Sequence, residues 1–241
     1  MDIMANVLLA AGASPAMVHF KEEVPEFTPK AAAVVVNVGT LNTDFLEGML
    51  AAAEAATALS KPWVLDPIAM GGTEFRSQHI LRLARMKPTL IRGNASDIMA
   101  LNGAQSSSKG VDSTAKSDDA LDSAKSVAAK IGSIVGITGA TDWVTDGSRC
   151  MKVQNGVALM SKITATGSSV TALAAAFIAV RPDDPLLATA CALCAFGVAA
   201  ELASTSAQGP ASLRVGLLDA LHYATQDDML ALAKISAGDD H

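Results

Sequence analysis

Four stretches of this sequence place polar, chemistry-bearing residues just after a short apolar run: Asn37-Val-Gly-Thr40, Asp66-Pro67, Arg92-Gly-Asn94 with Asp97, and Ile137-Thr-Gly139, which contains Thr138. A fifth, Thr164-Ala-Thr-Gly-Ser-Ser-Val170, is a small-residue turn opening a helical stretch, and it contains Ala165, Gly167 and Ser168. Free N–H groups and the macrodipole at such a helix start suit a phosphate. A plain helix cap is the alternative reading of the same turn. It matches neither G-x-x-x-x-G-K-S/T nor G-x-G-x-x-G, so nothing supports a P-loop or a dinucleotide fingerprint. Asp66 and Asp97 are the obvious carboxylates for Mg²⁺, which takes one or two and completes its shell with water and phosphate oxygens. Spacing alone does not make them converge, and Asp66 before Pro67 fits ordinary turn chemistry equally well. Arg92 is more informative, because a cation among carboxylates and a phosphate-binding turn suits a polyphosphate.

Other candidates weigh less. His19, His79, His222 and His241 are scattered, which argues against a metal cluster or a Ser-His-Asp triad. Cys191 and Cys194 form a C-x-x-C inside the apolar stretch Leu186–Glu201, with no His or second Cys pair nearby. Buried small hydrophobes are expected there, not a redox or zinc site.

The elements that must position these residues follow from hydrophobic pattern. Ala32–Val38 is a continuous apolar run, as expected of a strand buried on both faces of a parallel sheet. Trp63–Leu65, Thr89–Ile91 and Ser133–Ile137 read likewise, whereas Trp143–Thr145 and Met151–Val153, broken at Asp146-Gly147 and Asn155-Gly156, read as edge hairpins. Helices are expected over 2–11, from a cap at Thr43 or Asp44 to Ser60, around Gln78–Ala84, from an Asn94 cap through Ala100, and in stretches opening at Ser169, Pro185 and Pro210. Residues 104–119 lack hydrophobic period and are expected to form an exposed, mobile loop. Strand and helix alternate, so right-handed crossovers and a central, mostly parallel sheet between two helical layers follow. Ligands of such sheets bind at the carboxyl ends of the strands.

The 241 residues fit one α/β domain over 1–241. Net charge of −6 and the absence of any Lys/Arg-rich run argue against a nucleic-acid partner. Three cysteines without a disulfide framework fit a reducing compartment. The apolar stretch near 186–201 is bracketed by Asp184 and Glu201 and reads as a buried core helix, not a membrane span. With no basic region before the first helix, a cytoplasmic protein without membrane association is expected.

Taken together and in order, these motifs resemble the hydroxyethylthiazole kinase family. The resemblance rests on Gly12-Ala-Ser-Pro-Ala-Met17, Asn37-Val-Gly-Thr-Leu41, Asp66-Pro-Ile-Ala with Phe75-Arg76, Ile91-Arg-Gly-Asn-Ala-Ser-Asp97, Ile137-Thr-Gly-Ala140, Val144-Thr-Asp-Gly147, the turn at 164–170 and Gly209–Leu221. It implies a ribokinase-like sandwich, ATP- and Mg²⁺-dependent phosphorylation of 5-(2-hydroxyethyl)-4-methylthiazole, and a homotrimer with sites between subunits. By position, Met17 and Ala165 would meet the thiazole, Arg92, Thr138 and Gly167 would meet ATP, and Asp66 and Asp97 would serve Mg²⁺ and phosphate. Ser168 would occupy the catalytic position.

Three departures from the family pattern stand out. Asp97 is a shortened version of a usual Glu. The turn, typically Thr-Gly-x-Gly-Cys, has Ala165 in place of a Gly, where a positive φ would be costly. Ser168 stands in place of Cys, and a serine hydroxyl is a poor base that can still orient an alcohol. The family also begins with a strand and an Ile-Thr-Asn stretch ahead of the helix at 1–10, so an open sheet edge is expected. The resemblance leaves two competing readings: a kinase of another small alcohol, of pyridoxal or hydroxymethylpyrimidine type, and a non-catalytic ligand-binding or regulatory homologue.

Overall fold

The computed structural model describes residues 1–103 and 117–238. Four strands, β1 (Val34–Asn37), β2 (Trp63–Asp66), β3 (Leu90–Asn94) and β4 (Ile134–Thr138), run parallel in sequential order. β5 (Asp142–Thr145), β6 (Cys150–Val153) and β7 (Ile235–Ala237) continue the sheet antiparallel, so the sheet is mixed. Side-chain alternation divides the core into two. Val64, Leu90 and Val144 pack with α1 (Asp2–Ala10), α7 (Thr166–Val180), α8 (Pro185–Ser204) and α9 (Pro210–Tyr223). Trp63, Leu65, Ile91 and Val135 pack on the other face with α3 (Thr43–Ala58), α4 (Glu74–Ala84), α5 (Ala95–Leu101) and α6 (Leu121–Ile131). Two short helices, α2 (Val24–Phe27) and α10 (Gln226–Leu232), complete the set. Apolar residues on both sides of each parallel strand thus produce the expected three layers.

Helix starts follow side-chain chemistry. Asn42 accepts from the Phe45 N–H and so caps α3, one residue before the expected Thr43. Thr43 and Asp44 lie inside the first turn, where Asp44 suits the positive end of the helix. Thr73 caps α4, which starts four residues earlier than the apolar pattern of 78–84 suggested. Asn94 caps α5 as expected, in a reciprocal capping box with Asp97. Pro185 and Pro210 stand in the first turns of α8 and α9, where a missing N–H costs nothing.

Sequence pattern missed α2 and β7, both too short to show a period, and did not separate α10 from the helical stretch opening at Pro210. Of the loop expected over 104–119, residues 104–116 lie outside the described residues. Its end differs from expectation, since Ser117 is buried and Asp118–Ala120 form a 3₁₀ turn leading into α6. Helix α8 is long and apolar enough to cross a membrane by length and composition, but Leu193, Phe196 and Val198 are buried in the core. Cys194 is buried there too, as an ordinary core side chain. Among the described residues, β1 forms an open edge of the sheet.

Candidate active site

The carboxyl ends of β1 to β4 converge on the first turn of α7. Asn37 and Asp66 end neighbouring strands as registered partners, and both reach towards that turn. The Asn37 amide donates from Nδ2 to Asp66 Oδ2 at 2.9 Å and to Ser168 Oγ at 3.0 Å. Its Oδ1 accepts the Gly39 N–H at 3.0 Å. Thr171, one turn further along α7, places Oγ1 3.0 Å from the same Asp66 oxygen and 3.1 Å from the Gly167 carbonyl. Asp66 is only 1% exposed. Burial pushes its pKa up, against the Arg92 charge and the bonds from Thr171 and Asn37.

Arg92 lies in the middle of β3, near enough to this carboxylate for its charge to act on it. It is buried, donates to the Thr138 hydroxyl across to β4, and leaves Nε without a partner. Its Nη1 would lie 2.7 Å from a Cβ added at Gly167, so only glycine lets the guanidinium lie against the start of α7. A buried guanidinium against the first turn of a helix is an arrangement that could hold an oxyanion, and phosphate is the common one. Ala165, just before α7, has φ of 62° and ψ of 16°. The turn therefore keeps the left-handed geometry expected to be costly for alanine, on the order of 1 kcal/mol.

Asp97 lies on the first turn of α5. One oxygen accepts the Met70 N–H at 3.1 Å and the other the Asn94 N–H at 3.4 Å. Burial pushes its pKa up to about 6, the Asn94 and Met70 bonds oppose this, and the nearby Asp66 charge adds to it. Two carboxylates close enough to feel each other, both raised, form a site that a divalent cation would stabilise. No cluster of three or more His, Cys, Asp or Glu that could hold a metal occurs among the described residues. Asp66 and Asp97 are the residues here that could hold Mg²⁺, an ion that takes one or two protein carboxylates.

On the other side of Ser168 lies a cleft of about 1490 Å³. Met17, Ala165 and Ser168 line it together with Asn37, and its walls include Val36, Phe45 and Ile68. The chain thus gathers Met17, Ala165 and Ser168 around an apolar cleft, and Arg92, Thr138, Gly167, Asp66 and Asp97 behind it. Asn37 and Ser168 stand where the two meet. Sequence reasoning gave no role to Asn37 or Thr171. For Asn37 the signal was present, in a polar residue closing an apolar run beside Gly39. Thr171 gave none beyond its position four residues after Gly167.

A mixed central sheet between helical layers, with its polar residues gathered at the strand ends against a small-residue helix start, is a ribokinase-like fold. A pyridoxal kinase from Staphylococcus aureus shares that fold with a TM-score of 0.61 at 15% identity, over 82% of this chain and 80% of its own. The match becomes specific with closer relatives. The hydroxyethylthiazole kinase family model matches residues 1–227, and the chain belongs to that family. It is 51% identical over 240 residues to the hydroxyethylthiazole kinase of Zea mays, covering 98% of this chain and 84% of that one. It is 50% identical to that of Rhizobium leguminosarum, covering 98% and 89%. The solved hydroxyethylthiazole kinase protein of Pyrococcus horikoshii superposes with a TM-score of 0.91 at 38% identity, covering 99% of this chain and 90% of that one.

Proposed function

We propose that this chain phosphorylates 5-(2-hydroxyethyl)-4-methylthiazole with ATP and Mg²⁺. Family membership supports the kinase reading. The single observation that carries the placement is the contact between the cleft and the charged cluster at Ser168. An apolar heteroaromatic alcohol seated by Met17 and the Ala165 backbone would bring its hydroxyl to Ser168. The polyphosphate would lie along the α7 start, with Arg92 and Thr138 on one flank and the Gly167 backbone beneath. Asp66 and Asp97 would hold Mg²⁺, which neutralises phosphate charge when bound.

Each residue has a separate task. Arg92, buried with its guanidinium against Gly167 at the start of α7, would hold positive charge where phosphoryl oxygens develop negative charge. Ser168 receives one hydrogen bond from Asn37, which leaves its own hydrogen and a lone pair for the acceptor alcohol. Phosphoryl transfer through a loose transition state depends mainly on positioning and electrostatics, so a serine in this place supports turnover without being a strong base.

The assembly follows the same reading. Met17 is 41% exposed and Phe20 57%, and an apolar substrate seated there would need cover from a neighbouring subunit of a homotrimer. The cytoplasm suits a kinase with three cysteines, two of them buried.

The test is ADP release by the purified chain with the thiazole alcohol, pyridoxal and hydroxymethylpyrimidine offered separately, with and without Mg²⁺. Mg²⁺-dependent turnover with kcat/KM highest for the thiazole alcohol is the expected result. Preference for either other acceptor would refute the substrate, and no turnover with any acceptor would refute the kinase.

A further inference from the structure

We infer that Asn37 is a positioning residue for phosphoryl transfer, acting by orienting the Ser168 hydroxyl. The inference rests on the kinase reading above and adds to it a residue outside the set expected from the sequence.

The argument starts from the amide. A primary amide has one acceptor oxygen and two N–H donors, and flipping it exchanges them. In Asn37 the backbone settles the choice, because Oδ1 faces the Gly39 N–H at 3.0 Å, an acceptor's place. Nδ2 must then face Asp66 and Ser168, at 2.9 and 3.0 Å, with one hydrogen for each. Ser168 Oγ is thereby fixed as an acceptor towards the sheet. Its hydrogen cannot point at Asn37 and is directed away from it.

Two further features hold the amide in that pose. Gly39 allows the close approach, since a Cβ there would lie 2.9 Å from Asn37 Oδ1 and 3.2 Å from Ile68 Cδ1. Register fixes the other side, with Asn37 opposite Asp66 at the ends of β1 and β2. Asn37 also lines the cleft while bonding to the buried carboxylate, so it spans the two halves of the site. A side chain serving only to cap the end of β1 would need the Gly39 bond alone. The two Nδ2 bonds are what tie it to chemistry.

The experiment is a double-mutant cycle on the full chain with the thiazole alcohol and saturating Mg²⁺-ATP, comparing Asn37→Ala, Ser168→Ala and both. A hydroxyl released from its orientation should lower kcat by about 30- to 100-fold, with KM for the alcohol moving less than about threefold. In the Ser168→Ala background the same Asn37 substitution should lower kcat less than about threefold further. Gly39→Ala, which displaces the amide without removing it, should give a smaller kcat loss that also disappears when Ser168 is Ala. Equal losses in both backgrounds, or a KM effect without a kcat effect, would overturn the role. Thermal melting of every variant separates these results from misfolding, and an unfolded Asn37→Ala leaves Gly39→Ala to decide. Absence of turnover by the unsubstituted chain would overturn the kinase reading and this inference together, whereas turnover without coupling overturns this inference alone.

Discussion

Replacing Asp97 by Asn should make the protein more stable while abolishing much of its activity. In the folded chain the Asp97 pKa is pushed from 3.8 up to about 6, chiefly by burial. Between those values the folded state holds a proton that the unfolded state has released. Its contribution to stability is therefore fully present below pH 3.8 and is lost as pH rises through about 6. At pH 7.5 the ionised carboxylate opposes folding by on the order of 3 kcal/mol. Asn removes that charge but can accept only one of the two bonds, from the Met70 or the Asn94 N–H, at a cost of about 1 kcal/mol. The net gain near neutrality is on the order of 2 kcal/mol, or roughly 4–8 °C in Tm. Near pH 4.5 most of it should vanish, because the native carboxyl is then protonated as well. Differential scanning calorimetry of both proteins across this range is the assay, without and with Mg²⁺-ATP. Mg²⁺-ATP should raise the Tm of the native chain and affect the variant less. A variant less stable at pH 7.5 by the same amount as at pH 4.5 would show that Asp97 serves only as a cap of α5, and the reasoning would fail.

Other substitutions probe the turn and its neighbours. Gly167→Ala should raise the Kd for ATP at least about tenfold, because the new methyl displaces the Arg92 guanidinium, and isothermal titration with ATP would measure it. Ala165→Gly should raise stability by about 0.5–1 kcal/mol in a urea melt, since φ of 62° suits glycine, and a lower midpoint would contradict the assigned strain. Ser168→Asp should raise kcat above neutral pH by placing a carboxylate at the Asn37 donor. Unchanged kcat would mean that positioning and not a base limits the rate.

Much of the frame was legible from residue order. Continuous apolar runs at 34–36, 63–65 and 134–137 are what two-faced strands look like, and Asn94 announced the helix it caps. Short elements left no such trace. β7 has three residues and is defined by what it pairs with, namely β6, whose partner lies about eighty positions away in the chain. In the candidate site, residue type singled out Asp66, Asp97 and Arg92, but their convergence depends on strand order. Asn37 was marked only as a polar residue closing an apolar run beside Gly39, with nothing in residue order to name its partner. Its amide is unremarkable chemistry until the fold brings Ser168, 131 positions later, within hydrogen-bonding distance.

The pairing of β1 with β2 has a consequence for how this protein can fail. Strand side chains alternate, so slipping β1 by one residue would carry Asn37 away from Asp66 and exchange Val36 and Val35 between two cores that are both apolar. Valine on either face gives the apolar packing little with which to tell the two registers apart. The bonds of Asn37 to Asp66, Gly39 and Ser168 are then what mark the correct alignment. A chain that misaligns this pair would keep most of its core and lose its catalysis.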